Sequence, residues 1–328
     1  MVSMHRDAIV SVIMPVYNAE IHVLEAANSI LNQTLQDIEL IIVDDGSTDS
    51  SWELIQTLKD PRIRLIQQAN QGAFAARNQG IRHAVAPYIA SMDADDVSAP
   101  DRLQSQLDFL RRHSDIGLVG SWHTLFDGHT EIQFRSPTSD FYIKRALPSQ
   151  NVFAGGSVMV RHELLTRVGC YRAFYSDDYD LWLRISEIAR IAIIPRYLYR
   201  YRISEYQTTK LVGSKMYTDG LRSVRMAVQR YVFGEDALGY SIPSCEQTSA
   251  LFHTYQAFVL YALSRRNIRL ASQLASASIQ RSLTGTVCGL ANVEFLIWAS
   301  RTIGRGMARC TTYRWSRGAE LSSKSDLG

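Results

Sequence analysis

Three aspartates, Asp93, Asp95 and Asp96, lie within four residues and directly follow a short apolar run at residues 88–90. A short apolar run that ends in clustered acids is typical of a buried parallel strand that brings ligands to the carboxyl edge of its sheet. Carboxylates this close repel one another unless a cation or a proton offsets their charge, and a hard divalent ion that also binds phosphate oxygens is the usual cation. The stretch is therefore a candidate metal site, and the plainer alternative is a solvated acidic turn before the helix that starts near Pro100.

The first hundred residues predict the sheet edge at which these acids would act. Apolar strands alternate with amphipathic helices and short turns, with the strands predicted over 9–14, 38–43, 62–67 and 88–92. This order predicts an α/β fold with a doubly wound, mainly parallel sheet and right-handed crossovers. A second acidic pair, Asp44 and Asp45, follows the second strand. Both clusters are therefore expected at the edge where such sheets bind ligands.

The pattern is less regular after residue 115. It predicts a strand over 116–121, a hairpin turning at Asp127 and Gly128, a strand over 158–160, a helix over 179–188 and a pair of strands over 191–195 and 197–201. Helical periodicity dominates beyond about residue 211. We therefore expect one domain over 1–210, with halves that meet near residue 100, followed by a helical C-terminal region over 211–315 and a disordered tail over 316–328.

Composition narrows the class of protein. The 328 residues are 46% hydrophobic, so a sizeable core is available, and the net charge of +3 is too small to indicate a nucleic-acid partner. Four scattered cysteines without a Cys-x-x-Cys pair indicate reduced thiols in the cytoplasm and argue against a disulfide framework or a zinc site. The polar start and the absence of an 18-residue apolar segment predict neither a signal peptide nor a spanning helix.

Five ordered motifs carry a family resemblance. The chain resembles the family 2 glycosyltransferases over about residues 8–205, and the resemblance implies the GT-A nucleotide-diphospho-sugar transferase fold. It also implies transfer of a sugar from a nucleotide-activated donor to a hydroxyl, with inversion at the anomeric carbon. The motifs lie at residues 10–18, 42–49, 70–78, 92–96 and 177–184.

The resemblance assigns the first four motifs to the donor. Asp45 is similar to the carboxylate that binds the base of the nucleotide, and an acceptor-only group suits the ring N–H of uracil. Asp93 and Asp95 match the Asp-x-Asp motif, with Asp95 the direct ligand of Mn²⁺ or Mg²⁺ and Asp93 nearer the ribose or a possible second ligand. The other residues assigned to the donor nucleotide are Pro15, Tyr17, Asp44 and Arg77, where Asp44 supports Asp45 or the ribose and Arg77 adds a cation or is a solvated helix residue.

The fifth motif is assigned to the acceptor. Asp178 resembles the general base, which takes the proton from the acceptor hydroxyl as that hydroxyl attacks. Its alternative role is an N-cap of the following helix, and the two roles are compatible. Many family members have Glu-Asp where this chain has Asp177 and Asp178, which leaves the role of Asp177 open. Gly155 and Gly156 are expected to shape the acceptor pocket.

The predicted partners are a nucleotide-diphosphate sugar, with a UDP-sugar favoured, and a glycan or lipid-linked acceptor in surface polysaccharide synthesis. Apolar residues and arginines over 293–309 fit either a solvated or dimerising surface or peripheral contact with the inner face of the cytoplasmic membrane. The alternative function is a catalytically silent nucleotide-sugar-binding protein of the same fold. Neither a nucleotidyltransferase nor an aspartyl phosphatase is indicated, because the first strand is followed by neither a glycine-rich basic loop nor paired acids.

Overall fold

The computed structural model of the protein describes residues 8–204, residues 208–233 and Leu238. Its strands are Val10–Val16 (β1), Ile38–Asp44 (β2), Ile63–Gln67 (β3), Tyr88–Ser91 (β4), Val97–Ser98 (β5), Ile116–Phe126 (β6), Glu131–Phe134 (β7), Met159–Arg161 (β8) and Arg190–Arg202 (β9). Its α-helices are Val23–Leu31 (α1), Ser51–Gln56 (α2), Ala73–His83 (α3), Arg102–Arg112 (α4), Asp140–Ala146 (α5), His162–Val168 (α6), Asp177–Ile188 (α7) and Thr208–Phe233 (α8), and Gly155–Ser157 forms a 3-10 turn.

The first four strands form a parallel block in the order β3-β2-β1-β4. Every residue of β2 is buried, which explains its nearly continuous apolar sequence, because helices cover both faces of a parallel sheet. Alternate side chains of β1 and β2 point to opposite faces. Ile13 and Ile41 join the apolar cluster that includes residues of α3, α6 and α7, whereas Val12 and Leu40 join the cluster that includes residues of α1 and α4.

The predicted α/β fold is confirmed, and the sheet, parallel over its first four strands, is mixed beyond β4. Strand β8 runs antiparallel to both β4 and β6, and β9 runs parallel to β6 and antiparallel to β5. The two strands predicted over 191–195 and 197–201 are one strand, β9. Its pairing with β6 skips from Ile194 to Tyr197, so Pro195 and its neighbour are accommodated as an irregularity in a continuous strand.

Helix α8 belongs to the same body as the sheet. The side chains of Glu187 in α7 and Arg230 in α8 are fully buried and form an ion pair, with N–O distances of 2.5–3.1 Å. Within the described part of the chain, no helix has both the length and the apolar character that crossing a bilayer requires. The helices expected beyond α8, the arginine-containing segment over 293–309 and the tail over 316–328 lie outside the described residues.

Candidate functional site

A cleft of about 1490 Å³ opens at the carboxyl ends of β1, β2 and β4. Residues of α3, of the start of α7 and of α8 also line it. Of the eleven residues predicted for the site, nine line this cleft: Pro15, Tyr17, Asp45, Arg77, Asp93, Asp95, Gly155, Asp177 and Asp178. Asp44 and Gly156 do not line it.

Asp45 fixes the loop that leads into α3. Its Oδ1 accepts hydrogen bonds from Gln68 Nε2 at 2.7 Å and from the Gln71 N–H at 2.9 Å, and its Oδ2 accepts the Gly72 N–H at 2.8 Å. Each carboxylate oxygen has two lone pairs, so Oδ2 retains acceptor capacity toward the cleft. Asp44 is fully buried beneath this position and accepts from Ser47 and Gln67, so any role it has toward the donor is supportive.

The acidic loop at residues 92–96 follows β4. Asp95 is partly buried and faces the cleft, and burial, with the nearby Asp93 charge, raises its pKa to about 6. Asp96 points inward instead, where its Oδ1 accepts the Arg202 N–H at 2.7 Å and burial raises its pKa. The three acids therefore divide between the cleft and the interior.

Arg77 joins the donor-side acids to the acceptor-side acids. Its guanidinium donates to Asp93 Oδ1 at 3.1 Å and to Asp177 Oδ2 at 2.7 Å, although these residues lie 84 positions apart in the sequence. Burial alone would lower the pKa of Arg77. The negative charges of Asp177 and Asp93 raise that pKa by more than burial lowers it, so the net shift is upward. The Tyr171 ring lies 5.5 Å from the guanidinium. This bridge brings the fourth and fifth sequence motifs to one cleft.

Asp178 lies in the first turn of α7. Its Oδ1 accepts the Tyr179 N–H at 2.7 Å, and its Oδ2 accepts Asn151 Nδ2 at 3.0 Å. Burial, followed by the charge of Asp177, raises the pKa of Asp178 to about 6, against the lowering effect of Arg77. A carboxylate with this pKa is largely deprotonated at neutral pH and still has substantial affinity for a proton, which suits a general base.

The two predicted glycines have different surroundings. Gly155 lines the cleft, and a Cβ at this position would lie 3.0 Å from Asp178 Oδ2. Gly156 lies behind the cleft, where a Cβ would overlap the Tyr199 hydroxyl and lie 2.8 Å from Asp93 Oδ2. Gly156 therefore allows the close packing of the acidic loop on β9 and does not form the pocket wall that we expected.

The negative charge of the cleft determines whether a diphosphate would need a cation in order to bind there. Among the lining residues of the described chain, eight are acidic and two, Arg77 and Lys215, are Lys or Arg. A diphosphate would meet strong repulsion here without a further cation. The described residues contain no group of three or more His, Cys, Asp or Glu side chains arranged to hold a metal. The carboxylate oxygens of Asp95 and the neighbouring Asp93 are of the kind that a hard divalent ion binds, so these two residues would hold it.

Several residues of the site were not predicted from the sequence. Asn151, which contacts the proposed base, lies in an unpatterned loop, and Tyr199, which contacts the acidic loop, resembles any aromatic strand residue. Lys215, Thr218 and Asp219 of α8 line the cleft although their helix follows the recognised motifs. The sequence predicted helices beyond about residue 211 but gave no sign that one of them lines the cleft.

Comparisons with known proteins identify the family of this chain. A family model described as Glycosyl transferase family 2 matches residues 11–175. An uncharacterized glycosyltransferase of Haemophilus influenzae is 49% identical over 117 residues, which cover 35% of this chain and 47% of that relative. The chain spans less than half the length of the first curated relatives that it matches.

Solved structures share the fold. S. aureus TarS 1–349 in complex with UDP has a TM-score of 0.55 and 15% identity, with 90% of this chain and 91% of that chain covered. The mannosyltransferase PcManGT from Pyrobaculum calidifontis, in complex with GDP-Man and Mn²⁺, has a TM-score of 0.51 and 20% identity, with 90% and 86% covered. At these identities the likeness shows the fold alone, which is GT-A. Since the family model covers half of the chain, the protein belongs to glycosyl transferase family 2.

Proposed function

We propose that the protein is an inverting glycosyltransferase that moves a sugar from a nucleoside-diphosphate donor to an acceptor hydroxyl. The observation that carries this proposal is the Arg77 bridge between Asp93 and Asp177. Because of this bridge, Asp95, which suits a metal-bound diphosphate, and Asp178, which suits the role of general base, face one cleft. A nucleotide-binding protein without catalysis needs only the first of these groups.

On the donor side, Asp45 would accept a hydrogen bond from the nucleotide base. Its carboxylate is already fixed by three donors from the 68–72 loop, so little side-chain entropy is lost when the base binds. Pro15 and Tyr17 line the same part of the cleft, and the Tyr17 ring is half exposed. These residues suit the flat apolar faces of a base and ribose.

Asp95, with Asp93 as a possible second ligand, would hold Mn²⁺ or Mg²⁺. When bound, the ion would offset the negative charge that the diphosphate gains as its bond to the sugar breaks. The solved mannosyltransferase neighbour contains Mn²⁺, which supports metal use in this fold. Arg77 is already paired with two carboxylates, so it cannot supply all of the compensating charge.

On the acceptor side, Asp178 would take the proton from the attacking hydroxyl. The hydroxyl oxygen forms the new bond to the anomeric carbon on the face opposite the departing diphosphate, and one displacement inverts that carbon. Asn151 and the Tyr179 N–H hold the two carboxylate oxygens in place. Asp177 would orient the site through Arg77 instead of acting on the acceptor itself.

Neighbouring structures contain UDP and GDP-Man, so a UDP-sugar remains the favoured donor and a GDP-sugar the main alternative. The proposed acceptor is a glycan or lipid-linked sugar in surface polysaccharide synthesis. The proposed location is the cytoplasm, with peripheral contact at the inner face of the membrane through the C-terminal region.

Thermal shifts and donor turnover would test the function. UDP and GDP are screened with MnCl₂, and hydrolysis or transfer is then measured with UDP- and GDP-sugars for the parent, Asp178→Asn and the remote exposed control Asp115→Asn. We expect nucleotide binding in all three proteins and turnover in the parent and the control only. Equal turnover by Asp178→Asn would refute the base assignment. Binding without turnover of any donor would indicate the silent binding protein, and no binding would refute the proposal.

A further inference from the structure

Arg102, the first residue of α4, is fully buried beneath the acidic loop. Its Nε donates to Ser98 Oγ at 2.7 Å, and one terminal nitrogen donates to the carbonyl oxygens of Ser91 at 3.0 Å and Gly156 at 2.7 Å. Within the described residues it forms no ion pair with a carboxylate. Burying a cation without such a partner is costly, so the contacts it makes must offset that cost.

The two carbonyls belong to the two sides of the site. Ser91 ends β4, one residue before the loop that carries Asp93 and Asp95. Gly156 lies in the 3-10 turn, next to Gly155, where a Cβ would lie 3.0 Å from Asp178 Oδ2. One guanidinium group therefore spans the strand that leads to the donor acids and the turn that supports the base.

A third contact reaches the acidic loop itself. The centre of the Arg102 guanidinium lies 5.3 Å from the centroid of the buried Tyr199 ring, and the Tyr199 hydroxyl accepts the Asp93 N–H at 3.3 Å. Burial lowers the pKa of Arg102 to about 10, partly offset by Tyr199, Asp93 and Asp96, so the residue stays charged at neutral pH. It thus places a fixed positive charge behind three acids.

We infer that Arg102 is a positioning residue that holds the acidic loop and the Gly155–Ser157 turn in fixed register behind the cleft. The effect on sugar transfer rests on the proposed function, but the effect on the two segments does not. A lysine at this position keeps the charge but has a single nitrogen, whereas the planar guanidinium donates to Ser98 and to both carbonyls at once and lies on the Tyr199 ring.

Arg161 supplies a matched control. It also donates to backbone carbonyls, those of Ile116 at 3.0 Å, Leu110 at 2.8 Å and His113 at 3.4 Å, and its guanidinium lies 5.6 Å from the centroid of the Tyr88 ring, but it does not line the cleft. Arg161→Lys therefore removes the same kind of contacts at the far ends of β4 and β8. A purely structural role for Arg102 predicts the same consequences for both substitutions.

Hydrogen–deuterium exchange on the full chain without ligands tests the register directly. In Arg102→Lys we expect faster exchange, by on the order of tenfold or more, in both residues 92–96 and residues 155–157. In Arg161→Lys we expect parental exchange in both segments. Unchanged exchange in Arg102→Lys, or a change in one segment only, would overturn the inference. This measurement decides it even if the parent transfers no sugar.

Kinetics on an active parent gives a second readout. We expect Arg102→Lys to lower kcat by on the order of 10- to 100-fold and to raise the MnCl₂ concentration needed for half-maximal rate. Arg161→Lys should leave kcat per folded molecule and the half-maximal MnCl₂ concentration unchanged, even if its Tm falls. Equal kinetic effects of the two substitutions would overturn the positioning role.

Tyr199→Phe keeps the test decisive if Arg102→Lys does not fold. This change keeps the ring beneath Arg102 and removes the hydroxyl that accepts the Asp93 N–H and hydrogen-bonds to Asp96. We expect faster exchange in residues 92–96 and a higher MnCl₂ requirement. Parental exchange of residues 92–96 in this variant would overturn the inference.

Discussion

Burial determines the acid–base behaviour of Asp178 more than any neighbouring charge does. The carboxylate lies between Asp177, which raises its pKa, and Arg77, which lowers it, and the two effects oppose each other. Loss of solvation remains as the main cause of a pKa of about 6. The side chain is therefore a stronger base than a solvated aspartate and is still mostly ionised at neutral pH.

The rate of sugar transfer should report this titration. Since the base must be deprotonated, we expect the rate at saturating donor to fall as the pH drops through 6 and to reach about one tenth of its plateau near pH 5. The measurement is a pH–rate profile between pH 5 and 8.5 in buffers of constant ionic strength. A flat profile down to pH 5, with binding of the donor unchanged, would contradict the assignment.

The same pKa shift predicts a gain in stability when the base is removed. The pKa of Asp178 is higher in the folded protein than in the unfolded chain, so the folded state favours the protonated form and loses stability as the pH rises through 6. We expect Asp178→Asn to raise the free energy of unfolding by about 1–3 kcal/mol at pH 7.5, with little effect at pH 4. Denaturant unfolding at both pH values would measure this, with Asp115→Asn expected to change little at either.

Arg77 should matter for stability as well as for the site. In Arg77→Met, the carboxylate of Asp177 stays buried without its partner, and breaking a buried pair in this way costs about 3–5 kcal/mol. The loss should be smaller at pH 5 than at pH 8, because protonation of Asp177 relieves it. The control is Arg190→Met, which breaks an exposed pair with Asp115 and should cost at most about 1 kcal/mol. An equal loss for Arg77→Met at both pH values would contradict this account.

At the scale of elements, α8 supports α7, the helix that carries the proposed base. The Glu187–Arg230 pair joins α7 to α8 in a fully buried position, and the Tyr175 N–H donates to Asp219 Oδ2 of α8 at 2.8 Å just before α7 begins. Helix α8 therefore contacts the chain on both sides of Asp178, at Tyr175 and at Glu187.

A double-mutant cycle tests the link between these helices. We expect Arg230→Met to destabilise the fold by about 3–5 kcal/mol, because it leaves Glu187 buried and unpaired. Adding Glu187→Met should recover most of that loss, since a buried pair can be replaced by apolar groups at little cost. Additive losses in Tm or in the free energy of unfolding would show that the two residues act independently.

The elements differ in how far the sequence could predict them. The parallel block β3-β2-β1-β4 was predictable because each strand is a short apolar run and each helix has one apolar face. The position of β8 between β4 and β6 was not predictable, because antiparallel neighbours that lie far apart in the sequence leave no local pattern. Pro195 suggested a break between two strands, whereas β6 holds both parts of β9 in one ladder.

At the scale of the whole molecule, the charge of the cleft should make nucleotide binding depend on a divalent ion. Eight acids and two Lys or Arg residues line the cleft in the described chain, so a diphosphate alone adds to existing repulsion. We expect UDP or GDP to raise Tm clearly with MnCl₂ and hardly at all with EDTA. At a nucleotide concentration 100 times Kd, the stabilisation is about 2.7 kcal/mol. An equal rise in Tm with EDTA would contradict metal use.

The position of the site was predictable at this scale, and its internal contacts were not. Acids that follow strand ends must meet at one sheet edge, which is why Asp45, Asp93 and Asp95 line the same cleft. The Arg77 bridge, the contact of Asn151 with Asp178 and the buried Arg102 depend on side-chain directions set by tertiary packing. An arginine in a helix is usually solvated, so nothing in the sequence marked Arg102 as buried.

The antiparallel ladder between β4 and β8 has a consequence for engineering this enzyme class. Ala90 pairs with Met159, so main-chain hydrogen bonds, and not a flexible hinge, set the spacing between the acidic loop and the turn at Gly155. The excursion over residues 127–153, which includes β7 and α5, connects β6 to that turn. Grafting this excursion from another family member should alter the choice of acceptor while preserving the choice of nucleotide.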